Sequence, residues 1–158
     1  MKRSTCVYLI RDGSWLMLLR NKKQDDINRG KWIGVGGKNE AGESFDACAA
    51  REVFEETGCT VRNPEFCGFV DFLYSSLEPE RIAVYKCSEF SGEPENCAEG
   101  TLAWIEEEKI LDLELWEGDR IFLEYMIRNE QIPFALTLEY DDHGILMNVK
   151  EGVLSSNE

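Results

Sequence analysis

The stretch from Gly34 to Cys59, GVGGKNEAGESFDACAAREVFEETGC, constrains this chain more than any other. A glycine-rich loop leads into a segment that carries Glu52, Glu55 and Glu56. On a helix, positions i, i+3 and i+4 share one face, so these carboxylates converge. Like charges at that spacing cost roughly 0.2–0.5 kcal/mol per pair, a repulsion that a hard divalent cation relieves. Mg2+ takes oxygen ligands in near-octahedral array, typically carboxylates together with waters and substrate phosphates. Mn2+ suits the same donors. Arg51, four residues before Glu55, is placed to hold one carboxylate.

The rest of the segment reads as a docked helix. Ser44 is a good N-cap, Asp46 suits the positive first turn, and Gly58 can end the helix in the left-handed conformation. The apolar face expected to pack inward is Ala47, Ala50, Val53 and Phe54, with the glutamates facing outward.

By spacing, Gly37, five residues, Glu43, seven residues, then Arg51-Glu52-Val53-x-Glu55-Glu56-x-Gly58-Cys59 resembles the Nudix box. Cys59 departs from the larger aliphatic residue commoner at the last position, but Cys packs as a small hydrophobe. The resemblance implies an α/β fold, an α/β/α sandwich with a mixed β-sheet between helices. It also implies metal ligation by Glu52, Glu55, Glu56 and the carbonyl of Gly36 or Gly37. Of these, Glu52 is favoured as the base, with Glu55 and Glu56 as ligands. Arg51 and Glu43 would support them, the arginine pairing with a carboxylate and Glu43 tying loop to helix. Glu99, in CAEGTLAW, matches where nucleotide-cleaning relatives place a further metal ligand.

Beyond the box, GKWIGVGGK (30–38), EGTLAW and WEGDRIF (116–122) are similar to bacterial 8-oxo-dGTP diphosphatases of the MutT type. That similarity implies Mg2+-dependent hydrolysis of oxidised purine nucleoside triphosphates to the monophosphate and pyrophosphate. Trp116 could stack on a purine ring. Asp119, three residues on, could accept hydrogen bonds from the base edge, and leaving such an acceptor unpaired costs about 1–3 kcal/mol. Relatives from animals carry Asn beside the tryptophan of the KW segment; here that position is Ile33, so base recognition must be arranged differently.

Charge agrees with a small anionic substrate. The net charge of −14 argues against a nucleic-acid polymer as partner, because binding a phosphate backbone needs a basic surface. Locally the balance reverses: Arg20, Lys22, Lys23, Arg29, Lys31 and Lys38 crowd the stretch before and inside the glycine loop. Of these, Arg20, Lys22, Lys23 and Lys38 are the candidates to meet a polyphosphate. The six cysteines form no CxxC pair and His143 is the only histidine, which disfavours zinc chemistry. Scattered thiols suit a reducing cytoplasm. No apolar run is long enough to span a membrane, and the start reads as two strands about an Asp-Gly turn, not as a signal peptide. Monomer and homodimer are both open.

Length suits one domain, expected over residues 1–150, with 151–158 as a frayed tail. Strands are expected at Thr5–Ile10, Trp15–Leu19, Trp32–Val35, Phe66–Tyr74, Arg81–Ser88, Thr101–Ile105, Phe134–Tyr140 and Ile145–Val149. A second helix fits Trp116–Arg128, and 21–31 and 90–98 read as loops. Two other readings stay open. Nudix-like enzymes acting on ADP-ribose, dinucleoside polyphosphates or other nucleoside diphosphate derivatives often carry a tyrosine or proline after the box, and Tyr74 lies sixteen residues past Gly58. A non-catalytic nucleotide-sensing module typically loses box glutamates, and none is lost here.

Overall fold

The computed structural model describes residues 1–154, so 155–158 of the expected tail lie outside the described residues. Strands β1 (Lys2–Arg11) and β2 (Ser14–Leu19) are joined by Asp12 and Gly13, both at positive φ. That is the turn whose twist matches the right-handed twist of a two-residue hairpin. There follow β3 (Trp32–Ile33), α1 (Phe45–Thr57), β4 (Thr60–Val61), β5 (Glu65–Tyr74), β6 (Glu80–Cys87), β7 (Phe90–Ser91) and β8 (Thr101–Glu106). A 3-10 turn at Glu107–Asp112, then α2 (Glu117–Arg128), β9 (Phe134–Tyr140) and β10 (Leu146–Glu151) complete the order. β10 thus reaches Glu151, and the Gly152 N–H donates to the Ala135 carbonyl.

Eight strands form one sheet in the order β10-β9-β5-β6-β1-β2-β3, with β8 also paired to β2. Its β1–β6 and β5–β9 pairs are parallel and the others antiparallel, so the sheet is mixed. Alternation along the strands feeds two cores. Val7, Leu9, Leu16, Ala83 and Tyr85 pack with Phe45, Ala49 and Val53 of α1 on one face. Tyr8, Met17, Val70 and Val84 pack with Phe122, Leu123 and Met126 of α2 on the other. The result is a sheet between two helical layers, the sandwich expected from the sequence.

The caps of α1 are those expected: the Ser44 side chain accepts from the Ala47 N–H, and Gly58 closes the helix at φ 82. Its buried face is not the expected one. Phe45, Cys48, Ala49, Val53 and Thr57 face the sheet, while Ala47, Ala50 and Phe54 are exposed, Phe54 by 58%. This rotation turns Glu52 and Glu56 partly inward instead of out to solvent.

What they turn toward is set by β1. Strand β2 leaves β1 after two residue pairs, Ile10–Trp15 and Arg11–Ser14, and continues against β3 and β8. The glycine loop takes the vacated side of β1, bridging Val35 to Val7 and Lys38 to Ser4. The candidate site lies at this split in the sheet.

Candidate active site

Two glycines let the loop come close. At Gly36 a Cβ would stand 1.9 Å from the Thr5 carbonyl oxygen, and at Gly37 it would stand 2.5 Å from the Glu52 carboxyl carbon. Both Gly37 and Val35 turn their carbonyls to β1, accepting from the Thr5 and Val7 N–H groups. The Gly36 N–H, in contrast, is hydrogen-bonded to the Glu56 carboxyl.

Arg51 organises the carboxylates. Its Nε donates to Glu43 Oε2 at 2.7 Å and its Nη2 to Glu43 Oε1 at 3.0 Å. Nη1 reaches Glu52 Oε1 at 2.9 Å and Glu55 Oε2 at 3.1 Å, and Nη2 also donates to the Lys38 carbonyl. Glu43 in turn accepts from the Glu40 N–H, closing the loop onto the helix. The Arg51 guanidinium holds Glu43 down to about 2 and is itself pushed up by the same bonds.

The other two glutamates feel burial most. Burial, then the neighbouring Glu52 charge, raises Glu56 to about 7, offset in part by the Gly36 N–H. Its Oε2 is buried without a hydrogen-bond partner. Glu52 is also raised, by burial first, against the pull of Arg51. Glu55 is the exposed member of the three, with more than half its side chain in solvent.

Glu99 lies near enough for its charge to reach Glu56. It is paired with Arg20 at 3.2 Å and Lys23 at 3.0 Å, and Arg20 also holds Asp26 at 2.8 Å. Lys22 donates to the Cys97 carbonyl, and the exposed Lys38 carries its backbone into the loop bridge. The basic residues are therefore largely tied to local carboxylates and carbonyls, with Arg20 and Lys23 lying on the same carboxylate as a candidate ligand.

Trp116 and Asp119 lie at the start of α2. Trp116 is 4% exposed, edge-on to Phe72, Tyr74 and Tyr140, with the Lys31 ammonium 4.9 Å from its ring centre. Its rings are an anchor of the α2 core rather than an open platform. Asp119 is raised to about 7 by burial, with Lys31 pulling it back. The partly exposed Cys6 is pushed up to about 12 by burial, and the charges of both Asp119 and Glu56 act on it. Beside it, Tyr8 is fully buried, its hydroxyl set against the Cys6 thiol and the Gly34 backbone.

Comparison with known proteins decides the family, because the NUDIX domain model matches residues 1–126. The chain belongs to the Nudix family. An oxidized purine nucleoside triphosphate hydrolase of Danio rerio is 26% identical over 150 residues, 94% of this chain and 93% of that protein. An uncharacterized Nudix hydrolase of Bacillus subtilis is 28% identical over 121 residues, 72% of this chain and 77% of that one. Among solved structures, a MutT protein of Bacillus halodurans superposes with a TM-score of 0.86 at 27% identity, covering 96% of this chain and 97% of that one. The chain is thus an enzyme, a Nudix hydrolase of MutT type.

Nudix hydrolases use divalent metal ions as a rule, and the donors here suit one. The Glu56 oxygen without a partner and the neighbouring Glu52 carboxyl offer only oxygen to a hard cation. Among the described residues, no three His, Cys, Asp or Glu side chains already form a metal-holding group. Arg51 draws Glu52 and Glu55 toward itself. Cys6, Tyr8, Asp26 and Asn28 escape sequence reasoning. The first two carry no motif, and the last two lie in a polar loop without periodicity.

Proposed function

We propose that this Nudix hydrolase is a Mg2+-dependent nucleoside triphosphate pyrophosphohydrolase that acts on oxidised purine nucleotides such as 8-oxo-dGTP. It releases the nucleoside monophosphate and pyrophosphate. The carrying observation is Glu56, a buried carboxyl raised to about 7 with one oxygen unpartnered, at the junction of the glycine loop and the box helix. A buried carboxyl left in this condition is costly unless something cationic meets it.

Glu55, Glu56, Glu99 and the carbonyl of Gly36 would hold the ion, with the Glu52 charge acting on Glu56 beside them. Gly37 serves by leaving room for the Glu52 carboxyl, its own carbonyl being taken by Thr5. The bound ion would neutralise phosphate oxygens and acidify a water. Glu52, raised by burial and steered by Arg51, orients and deprotonates the attacking water. Arg20, Lys22, Lys23 and Lys38 meet the polyphosphate, Arg20 and Lys23 exchanging Glu99 for phosphate oxygens. Asp119 reads the purine edge, and the relative from Danio rerio supports oxidised purines as the substrate class. Free thiols at all six cysteines and the absence, among the described residues, of a helix able to cross a membrane support a cytoplasmic protein.

The test is Glu56→Gln. It is expected to keep the thermal midpoint while lowering Mg2+-dependent pyrophosphate release by at least about a hundredfold. Wild-type turnover in that variant would overturn the metal assignment. The rival substrate class of nucleoside diphosphate derivatives loses one supporting sign, since Tyr74 packs against Trp116 and donates to the Asp142 carbonyl.

A further inference from the structure

The loop from Arg20 to Lys31 links Glu99 to Trp116 through a continuous line of polar contacts. At the Glu99 end, Arg20 Nη2 holds Glu99 Oε2 at 3.2 Å while its Nε holds Asp26 Oδ2 at 2.8 Å. Asp26 uses its other oxygen, Oδ1, to accept from the Asn28 N–H at 3.0 Å. The Asn28 side chain then accepts from the indole Nε1 of Trp116 at 2.8 Å. Trp116 is the N-cap residue of α2, and its carbonyl accepts from the Asp119 N–H at 3.0 Å.

The energetics of this line are uneven. An indole N–H is a donor only, so a buried Trp116 needs an acceptor, and Asn28 is the one it has. The Trp116 side chain does not cap the helix it begins; the ring packs edge-on against Tyr140, whose hydroxyl accepts from the Gly118 N–H of the first turn. Asn28 itself is fixed on its backbone by Asp26, and the Lys31 N–H donates to its carbonyl. A side chain so placed seats the ring, and the ring shares with Tyr140 the seating of the turn that carries Asp119.

We propose that Asn28 is a positioning residue for base recognition, holding Trp116 so that Asp119 faces the purine. This rests on the proposed reading of Asp119 as the base acceptor. Asn28 touches neither phosphate nor metal donors, so its loss acts on nucleotide affinity for purines and spares the chemical step.

The experiment is steady-state kinetics of Asn28→Ala, Asn28→Asp, Trp116→Phe and the double variant Asn28→Ala/Trp116→Phe. The substrates are 8-oxo-dGTP, dGTP and dCTP with Mg2+, and each variant's thermal midpoint is recorded. Asn28→Ala is expected to raise KM for both purines about five- to tenfold, the size of one neutral hydrogen bond. Its kcat stays within about twofold and its KM for dCTP does not change. Asn28→Asp keeps an acceptor for the indole and stays near wild type. Trp116→Phe removes the donor and keeps the ring, so it reproduces the Asn28→Ala effect, and the double variant adds nothing to either. Unchanged purine KM in Asn28→Ala, an equal rise for dCTP, or additive effects in the double variant would overturn the proposal. If Asn28→Ala does not fold, a wild-type KM in Trp116→Phe overturns it, and a raised purine KM there with a wild-type Asn28→Asp supports it. Asp119→Asn in the same assay separates the two layers. If it raises purine KM while Asn28→Ala does not, only the role of Asn28 falls. If it does not, the base lies elsewhere and both fall.

Discussion

Arg51 grips Glu43 through a two-point fork, Nε to Oε2 at 2.7 Å and Nη2 to Oε1 at 3.0 Å. The same guanidinium spends its third nitrogen on Glu52 and Glu55, so one side chain ties the glycine loop to two box glutamates. Only a planar fork can do this, and a lysine ammonium cannot hold Glu43 from two sides. Arg51→Lys is therefore expected to fold and to lose about ten- to hundredfold in kcat, the usual cost of removing a partner that orients metal-site residues. Steady-state kinetics at saturating Mg2+ check this.

The two glycines of the loop are expected to fail in different ways. A Cβ at Gly36 meets the Thr5 backbone oxygen at 1.9 Å, where nothing can yield without moving β1. Gly36→Ala should cost at least about 3 kcal/mol of stability in chemical denaturation. A Cβ at Gly37 meets only the end of the flexible Glu52 side chain. Gly37→Ala should stay folded with a near wild-type unfolding midpoint, yet lose about a hundredfold in turnover because the Glu52 carboxyl is displaced.

Asp119 gives the stability a pH dependence. Burial raises its folded pKa to about 7, whereas the unfolded value is about 3.9. The folded state thus binds the proton more tightly. Relative stability is greatest below the unfolded pKa and is lost as pH rises through the folded value. Measured against Asp119→Asn, the wild type should lose on the order of 2–3 kcal/mol between pH 5 and pH 8. A flat difference across that range would mean that Asp119 is ionised throughout.

What was legible in the sequence was what local chemistry determines. Ser44 and Gly58 cap α1, and the Asp12-Gly13 hairpin and the spacing of the box glutamates need only their own neighbours to be read. The inward face of α1 was not legible, because apolar residues lie on both sides of it. Phe54 competes with Phe45, and the sheet chose Phe45. The two-residue strands β4 and β7 are too short for any periodicity. The parallel β1–β6 and β5–β9 pairings join distant segments, and no local pattern encodes them. At the site, Glu99 and Arg20 stood out as charges, but their mutual pairing did not. Trp116 looked like a stacking platform because sequence cannot say that Tyr74, Phe72 and Tyr140 surround it.

The most direct test of the central claim is pyrophosphate release with Mg2+ across 8-oxo-dGTP, dGTP, ATP, ADP-ribose and a dinucleoside polyphosphate, compared as kcat/KM. The proposed function predicts that 8-oxo-dGTP exceeds dGTP by at least about tenfold and that ADP-ribose and the dinucleotide are poor substrates. A preference for ADP-ribose or the dinucleotide would contradict it, leaving the box helix as the catalytic element and removing the purine-reading role of Asp119.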